Sequence, residues 1–207
     1  MAATDGNLAA DGRHIFFDSE DAQLVETFLE CVGRPVRYTP KKTTAGGMCY
    51  RASFSDVELY RWFLAVGLTP AKSLTLGGID VPDAFLLPVV RGLLDGDGSV
   101  VNFVHAPTRR RYPNYRYERL MAQFNSASRT HLEWLRGRLE PIVGTRGYVE
   151  VTPPKPPKHE FNQLRYGKYA SIKLFGLLYP DDEAPRLIRN WETWERYRSR
   201  HCADGGT

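Results

Sequence analysis

The chain has 207 residues, of which 42% are hydrophobic and 12% aromatic. That composition excludes a disordered polyelectrolyte and allows one domain or two small ones. A net charge of +4 and a pI near 9.0 point to an anionic partner without identifying it. Cys31, Cys49 and Cys202 are isolated, which excludes a zinc spacing or disulfide framework and suggests a reducing compartment. No apolar run nears the roughly 20 residues needed to span a bilayer, and no signal peptide is visible. The expectation is an intracellular protein, cytoplasmic or nucleoid-associated with an organelle left open, and no membrane partner.

In chain order, MAATDGNLAADGRHIFF opens with little apolar content. Thr4-Asp5-Gly6 leads through a polar turn into a strand at Ile15-Phe16-Phe17. A helix is expected next, with Leu24, Val25, Phe28, Leu29 and Val32 at helical spacing. Asp18 or Ser19 supplies a natural N-cap type. An extended basic stretch from Arg37 reaches a Gly46-Gly47 turn, a strand over Cys49 to Phe54 and a helix from Asp56. A second round follows the same order. Val100 to Val104 and Leu120 to Phe124 read as strands. Asn125 or Ser126 is a cap type for a helix carrying Leu132, Leu135 and Leu139. A strand at Tyr148, a Pro-rich turn (Pro153 to Pro157), a strand near Asn162 to Tyr166 and a helix from Tyr169 complete it. The shared order marks an internal repeat. The tail from residue 199 reads as disordered.

Between the two rounds lies FLLPVVRGLLDGDGSV, Phe85 to Val100. It reads as a buried helix that ends in two acids and turns into a strand. Gly92 bares one helix face for close approach, at about 1 kcal/mol of helix propensity relative to Ala. Carboxylates at a helix C-terminus oppose the dipole, so a compensating cation is expected near Asp95-Gly96-Asp97. DGDG is also a good turn sequence. A calcium loop fits poorly, because the further oxygen ligands and the distant Glu are lacking.

RGLLDGDGSV resembles the LAGLIDADG motif of homing endonucleases. LYRWFLAVGLTPAKS, Leu59 to Ser73, resembles the family's helix, LGL and loop ending in Lys-Ser. The resemblance runs from about Thr4 to Tyr197. It implies an α+β fold of two LAGLIDADG-type αββαββα pseudo-repeats, with antiparallel saddle sheets and motif helices packed at the interface. The N-terminal repeat would be 1–83, the C-terminal repeat 84–198 and the disordered tail 199–207. Only Met1 to Thr4 precede Asp5, so the first motif helix is expected to be largely missing. The apolar faces of Phe85 to Leu94 would then lack a partner, and the chain as given would be poorly stable or self-associate.

The function implied is a sequence-specific, metal-dependent double-stranded DNA endonuclease of homing type, a monomer when full length. Asp5, Asp97 and Lys72 would be catalytic. Asp5 and Asp97, with the carbonyl of Gly96 and that of Thr4, would hold Mg²⁺ (or Mn²⁺), an ion that prefers such oxygens. Asp95 faces elsewhere. Lys173 and Arg189 are open candidates for a second basic group. DNA contacts would come from Arg13, Arg37, Lys41, Lys42 and Arg51 in the first half, with His14 and Tyr38 beside them. In the second half they would come from Arg109, Arg110, Arg111, Tyr115, Arg116, Tyr117, Arg119, Lys155, Lys158, Arg165 and Lys168. The alternatives are a catalytically inactive DNA-binding descendant of the same fold and, more remotely, a Ca²⁺-binding module.

Overall fold

A computed structural model describes residues 1–43, 46–105, 112, 114–153, 161–181 and 183–202. The elements run β1 (Gly6–Leu8), β2 (His14–Ser19), α1 (Ala22–Cys31), β3 (Thr39–Lys42), β4 (Met48–Ser55) and α2 (Val57–Ala65). They continue with α3 (Leu86–Gly96), β5 (Ser99–His105), β6 (Tyr117–Ser126), α4 (Arg129–Val143), β7 (Tyr148–Thr152), β8 (Phe161–Tyr166), α5 (Lys168–Leu178) and α6 (Ile188–Cys202). The strands form two four-stranded sheets ordered β1-β2-β4-β3 and β5-β6-β8-β7. Every pairing is antiparallel. The same strand order with helices at the same points makes this a mixed α+β protein of two like halves.

Side-chain alternation explains the layering. Ile15, Phe17, Ala52 and Phe54 face the helices of the first half, and Leu120, Ala122, Phe124, Leu164 and Tyr166 those of the second; all are buried. Phe17 stacks on Phe28 of α1 with centroids 4.2 Å apart, a contact of the kind that fixes a helix on a sheet. Helix starts fall later than the cap types at 18–19 and 125–126 suggest. Asp21 caps α1 by accepting the Gln23 N–H, and Ser128 caps α4 by accepting that of His131. Asp18, Ser19, Asn125 and Ser126 belong instead to β2 and β6, because the strands run on until the buried alternation ends.

At the centre, α3 buries Leu86, Val90, Leu93 and Leu94. Met1 to Asp5 form one turn beside it, with the Met1 carbonyl accepting the Thr4 and Asp5 N–H groups at 2.9 and 3.2 Å. That turn sits over the two bare positions of α3, since a Cβ at Gly92 would meet the Met1 nitrogen and one at Gly96 the Thr4 side chain. The outer flank of α3 borders an apolar groove of about 760 Å³ shared with Phe28, Val32, Trp62 and Phe63, at whose rim Phe85 is exposed.

Helix α6 corrects the expectation of a disordered tail from residue 199. Ser199, Arg200, His201 and Cys202 continue the helix; residues 203–207 lie outside the described ones. Leu187, Asn190, Trp194 and Tyr197 are buried at spacings of three and four, a helical stripe legible in LIRNWETWERYRS. The helix packs along β5, and its end is pinned where Glu118 accepts from Arg200 at 2.5 Å and meets His201 Nε2 at 2.6 Å.

Candidate metal centre and nucleic-acid interface

The two halves bring Asp5 and Asp97 to one place. Asp5 ends the opening turn just before β1, and Asp97 follows α3 just before β5. Thr4 packs on Gly96, so the two chain segments run side by side into their acids. The carboxyl of Asp5 is pushed up to about 7, first by burial and then by the negative charge of Asp97. Asp97 borders an open cleft, yet the protein packed around it still holds its carboxyl above the usual range, with Lys72 opposing that rise. Two carboxyls that each disfavour ionisation form a site that a cation would relieve.

Lys72 supplies one positive group. After α2, Ala71 takes the left-handed conformation at φ 53°, unusual for a residue with a Cβ, and opens a short 3-10 turn over Lys72–Leu74. The Lys72 side chain is only 6% exposed. Its amine donates to the Gly6 carbonyl and, at 3.4 Å, to the Thr4 carbonyl, so it straddles Asp5 in sequence. Burial lowers its pKa, and Asp97 and Asp5 oppose that shift. A buried ammonium facing two carboxyls can neutralise charge that develops on a bound phosphate.

The donor set suits a hard divalent cation: two carboxylates, with backbone carbonyls beside them. Gly96 lines a cleft of about 450 Å³ with Asp5. The Thr4 carbonyl is already engaged by Lys72, and the Asp97 carbonyl accepts from Asn125 Nδ2 at 2.6 Å. Among the described residues no group of three or more His, Cys, Asp or Glu side chains gathers anywhere, so any metal here would rely on the two acids, carbonyls and water.

Asp95 points the other way. Its buried carboxylate accepts from Tyr179 Oη (2.8 Å), the Leu187 N–H (3.0 Å) and Asn190 Nδ2 (3.1 Å), fastening the end of α3 to the start of α6. Of the two further basic candidates, Arg189 lines the cleft with Asp5 and Gly96. Lys173 lies exposed on α5.

The candidate DNA contacts divide by face. The helix-free faces carry Arg51, Lys41 and His14 in the first sheet and Arg119, Tyr117 and Arg165 in the second, as the registers require. Arg51 pairs with Asp18 across the sheet and lies 5.1 Å over the Phe16 ring. Arg165 pairs with Glu150. Arg119 stacks over Tyr117 and Phe103 at 5.2 and 6.0 Å. Register turns Lys42, opposite Met48, to the other face from Lys41. Lys168 opens α5 and covers Tyr197 of α6 at 5.6 Å, again on the helix side. Arg13 is exposed beside Asp11; Arg37 and Tyr38 lie in the loop before β3, where Tyr38 donates to Glu26. Tyr115 and Arg116 are exposed just before β6. Arg109, Arg110, Arg111, Lys155 and Lys158 lie outside the described residues.

Sequence reasoning offers Asn125 only as a helix cap type and does not single out Ser128, His131 or Gln23. All four make polar contacts far along the chain, which no local pattern announces.

No family model and no curated protein matches this chain. Solved structures do match its fold. Full-length DUF199/WhiA from Thermatoga maritima aligns with a TM-score of 0.56 at 13% identity, over 96% of this chain and 57% of that one. This chain therefore spans little more than half the length of that protein. The homing endonuclease I-WcaI bound to its DNA recognition sequence aligns at 0.56 and 9% identity, over 93% of this chain and 81% of that one. The I-LtrWI LAGLIDADG homing endonuclease bound to target DNA gives 0.55 and 9%, over 96% and 87%. The chain thus has the two-repeat LAGLIDADG fold.

Proposed function

We propose that this chain is a sequence-specific endonuclease of double-stranded DNA, of the homing type, built from halves 1–83 and 84–198 and working as a monomer. The observation that carries the reading is the meeting of Asp5 and Asp97, one from each half, against the buried amine of Lys72. Asp5 and Asp97, with the Gly96 carbonyl, would hold Mg²⁺ or Mn²⁺. Such an ion, when bound, lowers the pKa of water and offsets charge on the phosphate and the leaving oxygen. The chain's own residues do the rest. Lys72 presents a fixed positive charge to the phosphate. Asn125 holds the Asp97 backbone by its carbonyl and so limits where the carboxylate can move. Arg51, Lys41, Arg119 and Arg165 present donors on the open sheet faces, suited to phosphates and guanine edges.

The endonucleases I-WcaI and I-LtrWI, which share the fold, were solved on their target DNA, which supports DNA as the partner here. A second reading, a DNA-binding protein without cleavage, draws on one observation: two of the three Lys72 amine donors already point at the Gly6 and Thr4 carbonyls. One experiment separates the two. The protein is used to select its site from randomised duplexes in Ca²⁺, and the selected duplex is then incubated with Mg²⁺. Cleavage at a defined position supports the endonuclease; selection of a site that is never cut supports the second reading.

A further inference from the structure

The loop that carries Lys72 is held by the other half of the molecule. The 3-10 turn at Lys72 closes when the Thr75 and Leu76 N–H groups donate to the Lys72 carbonyl at 3.0 and 2.8 Å. The Leu76 carbonyl then accepts the Ser128 hydroxyl at 2.6 Å, and the Gly77 carbonyl lies 2.7 Å from His131 Nδ1. A carbonyl can only accept, so the proton sits on Nδ1. Ser128 is the N-cap of α4 and His131 lies in its first turn; both are buried. Trp134, one residue short of a turn further on, fills the space that a Cβ on Gly78 would need. An unbroken run of short bonds therefore leads from the Lys72 carbonyl to α4.

The other half repeats the device. In the first turn of α1, Gln23 donates to the Arg186 carbonyl at 2.8 Å and accepts the Ile188 N–H at 3.1 Å. These bonds bracket the approach to Arg189, which borders Asp5. In each half, the helix after the second strand braces the loop that delivers a basic residue from the other half. A buried polar contact between halves needs a reason, because an apolar contact would dock them without the cost of desolvating a histidine.

We propose that His131, together with Ser128, is a positioning residue for Lys72: α4 of the C-terminal half sets the lysine of the N-terminal half, so the amine is in place only when the halves are docked. The positioning stands on the geometry; its consequence for cleavage rests on the endonuclease reading.

The test uses the full chain. Lys72 is labelled with an amine-reactive ester and followed by peptide mass spectrometry, with exposed Lys173 as the internal reference. His131→Leu should label Lys72 at least about tenfold faster, through local opening of the loop. His131→Asn, which keeps a donor at the place of Nδ1, should return it to the original rate. Ser128→Ala, the milder change, should also speed labelling and serves if His131→Leu does not fold. In parallel, the single-turnover cleavage rate on the selected duplex should fall for His131→Leu and recover for His131→Asn, with binding in Ca²⁺ unchanged. Unaltered Lys72 labelling in both His131→Leu and Ser128→Ala overturns the proposal. If labelling behaves as stated but the unmodified protein cuts no duplex, the endonuclease reading fails and the positioning stands.

Discussion

The Thr4 side chain packs on the bare Cα of Gly96, at a point where any Cβ would collide with it. This contact sets the spacing of the two segments that end in Asp5 and Asp97. Gly96→Ala should therefore part them. Overpacking of this kind costs about 1–3 kcal/mol, so the melting temperature should drop. The larger effect should be on chemistry: DNA affinity in Ca²⁺ should persist while Mg²⁺-dependent cutting is lost. If Gly96→Ala cuts as well as the parent, the acids are not a jointly positioned pair.

Asp97→Asn keeps the size of the side chain and removes its charge. Cleavage should vanish, and binding to the selected duplex in Ca²⁺ or without metal should be largely retained. Lys72→Met should slow cutting by about 10²–10³-fold, the range for losing one preorganised donor at a transition state. Gel assays of cleavage beside fluorescence titration of binding read both. Full cutting by Asp97→Asn would show that the metal assignment is wrong.

The elements that sequence made legible are those whose signal is local. Ile15 and Phe17 alternate with polar neighbours, and Leu132, Leu135 and Leu139 repeat at helical spacing; burial follows both patterns. The motif at Asp95-Gly96-Asp97 announced a turn with two acids, and its glycines fit the close contacts found there. Helix starts are not fixed by cap type alone, because Ser19 and Ser126 are as good as the true caps Asp21 and Ser128 two residues on, and only strand register decides between them. Helix α6 carries its signal in a stripe of Leu187, Asn190, Trp194 and Tyr197, diluted by the charged residues between them. The buried partners of Asp95, like the Ser128 and His131 contacts, join residues more than fifty positions apart and leave no pattern that one sequence can show.

Asp95 is fully buried and collects three donors from the segment that ends α5 and begins α6. Asp95→Ala strands the Tyr179 hydroxyl, the Leu187 N–H and the Asn190 amide together. Each unpaired buried group costs about 1–3 kcal/mol, so this change should rank among the most destabilising in the chain. Asp95→Asn retains acceptor capacity on one oxygen and should cost less. Denaturant melts of the two variants check the order; a smaller loss for Asp95→Ala would contradict it.

The three arginines on the open sheet faces should not contribute equally to DNA affinity. Arg51 and Arg165 are each paired with a carboxylate, whereas among the described residues no carboxylate pairs with Arg119. An arginine that touches a phosphate contributes about 0.9 to the slope of log affinity against log salt. Arg119→Ala should lower the slope by nearly that amount. Arg51→Ala and Arg165→Ala should lower it less, since a carboxylate already offsets part of each charge. Slopes equal to the parent's for both Arg119→Ala and Arg165→Ala would place the second sheet face away from the duplex.

The last prediction concerns acid. Burial lowers the pKa of His131 below its ordinary value, with the bond to the Gly77 carbonyl opposing the shift. The unfolded chain then binds a proton at His131 near pH 6.5 that the folded chain still refuses. Below about that pH the unfolded state holds more protons, so stability falls with falling pH, until the folded histidine also protonates. Asp5 works in the opposite sense. Its carboxyl is raised to about 7, so the folded chain keeps a proton that the unfolded one has lost, and acid favours the fold between the two values. A single melting curve against pH mixes the two. The difference between the parent and His131→Asn isolates the histidine, because Asn does not titrate and keeps the donor. Expressed as the gap in melting temperature, the parent should lose ground to His131→Asn as pH drops from about 7.5 to 5.5. A gap that stays constant across that range would mean that His131 is solvated in the folded protein and carries no buried-group penalty.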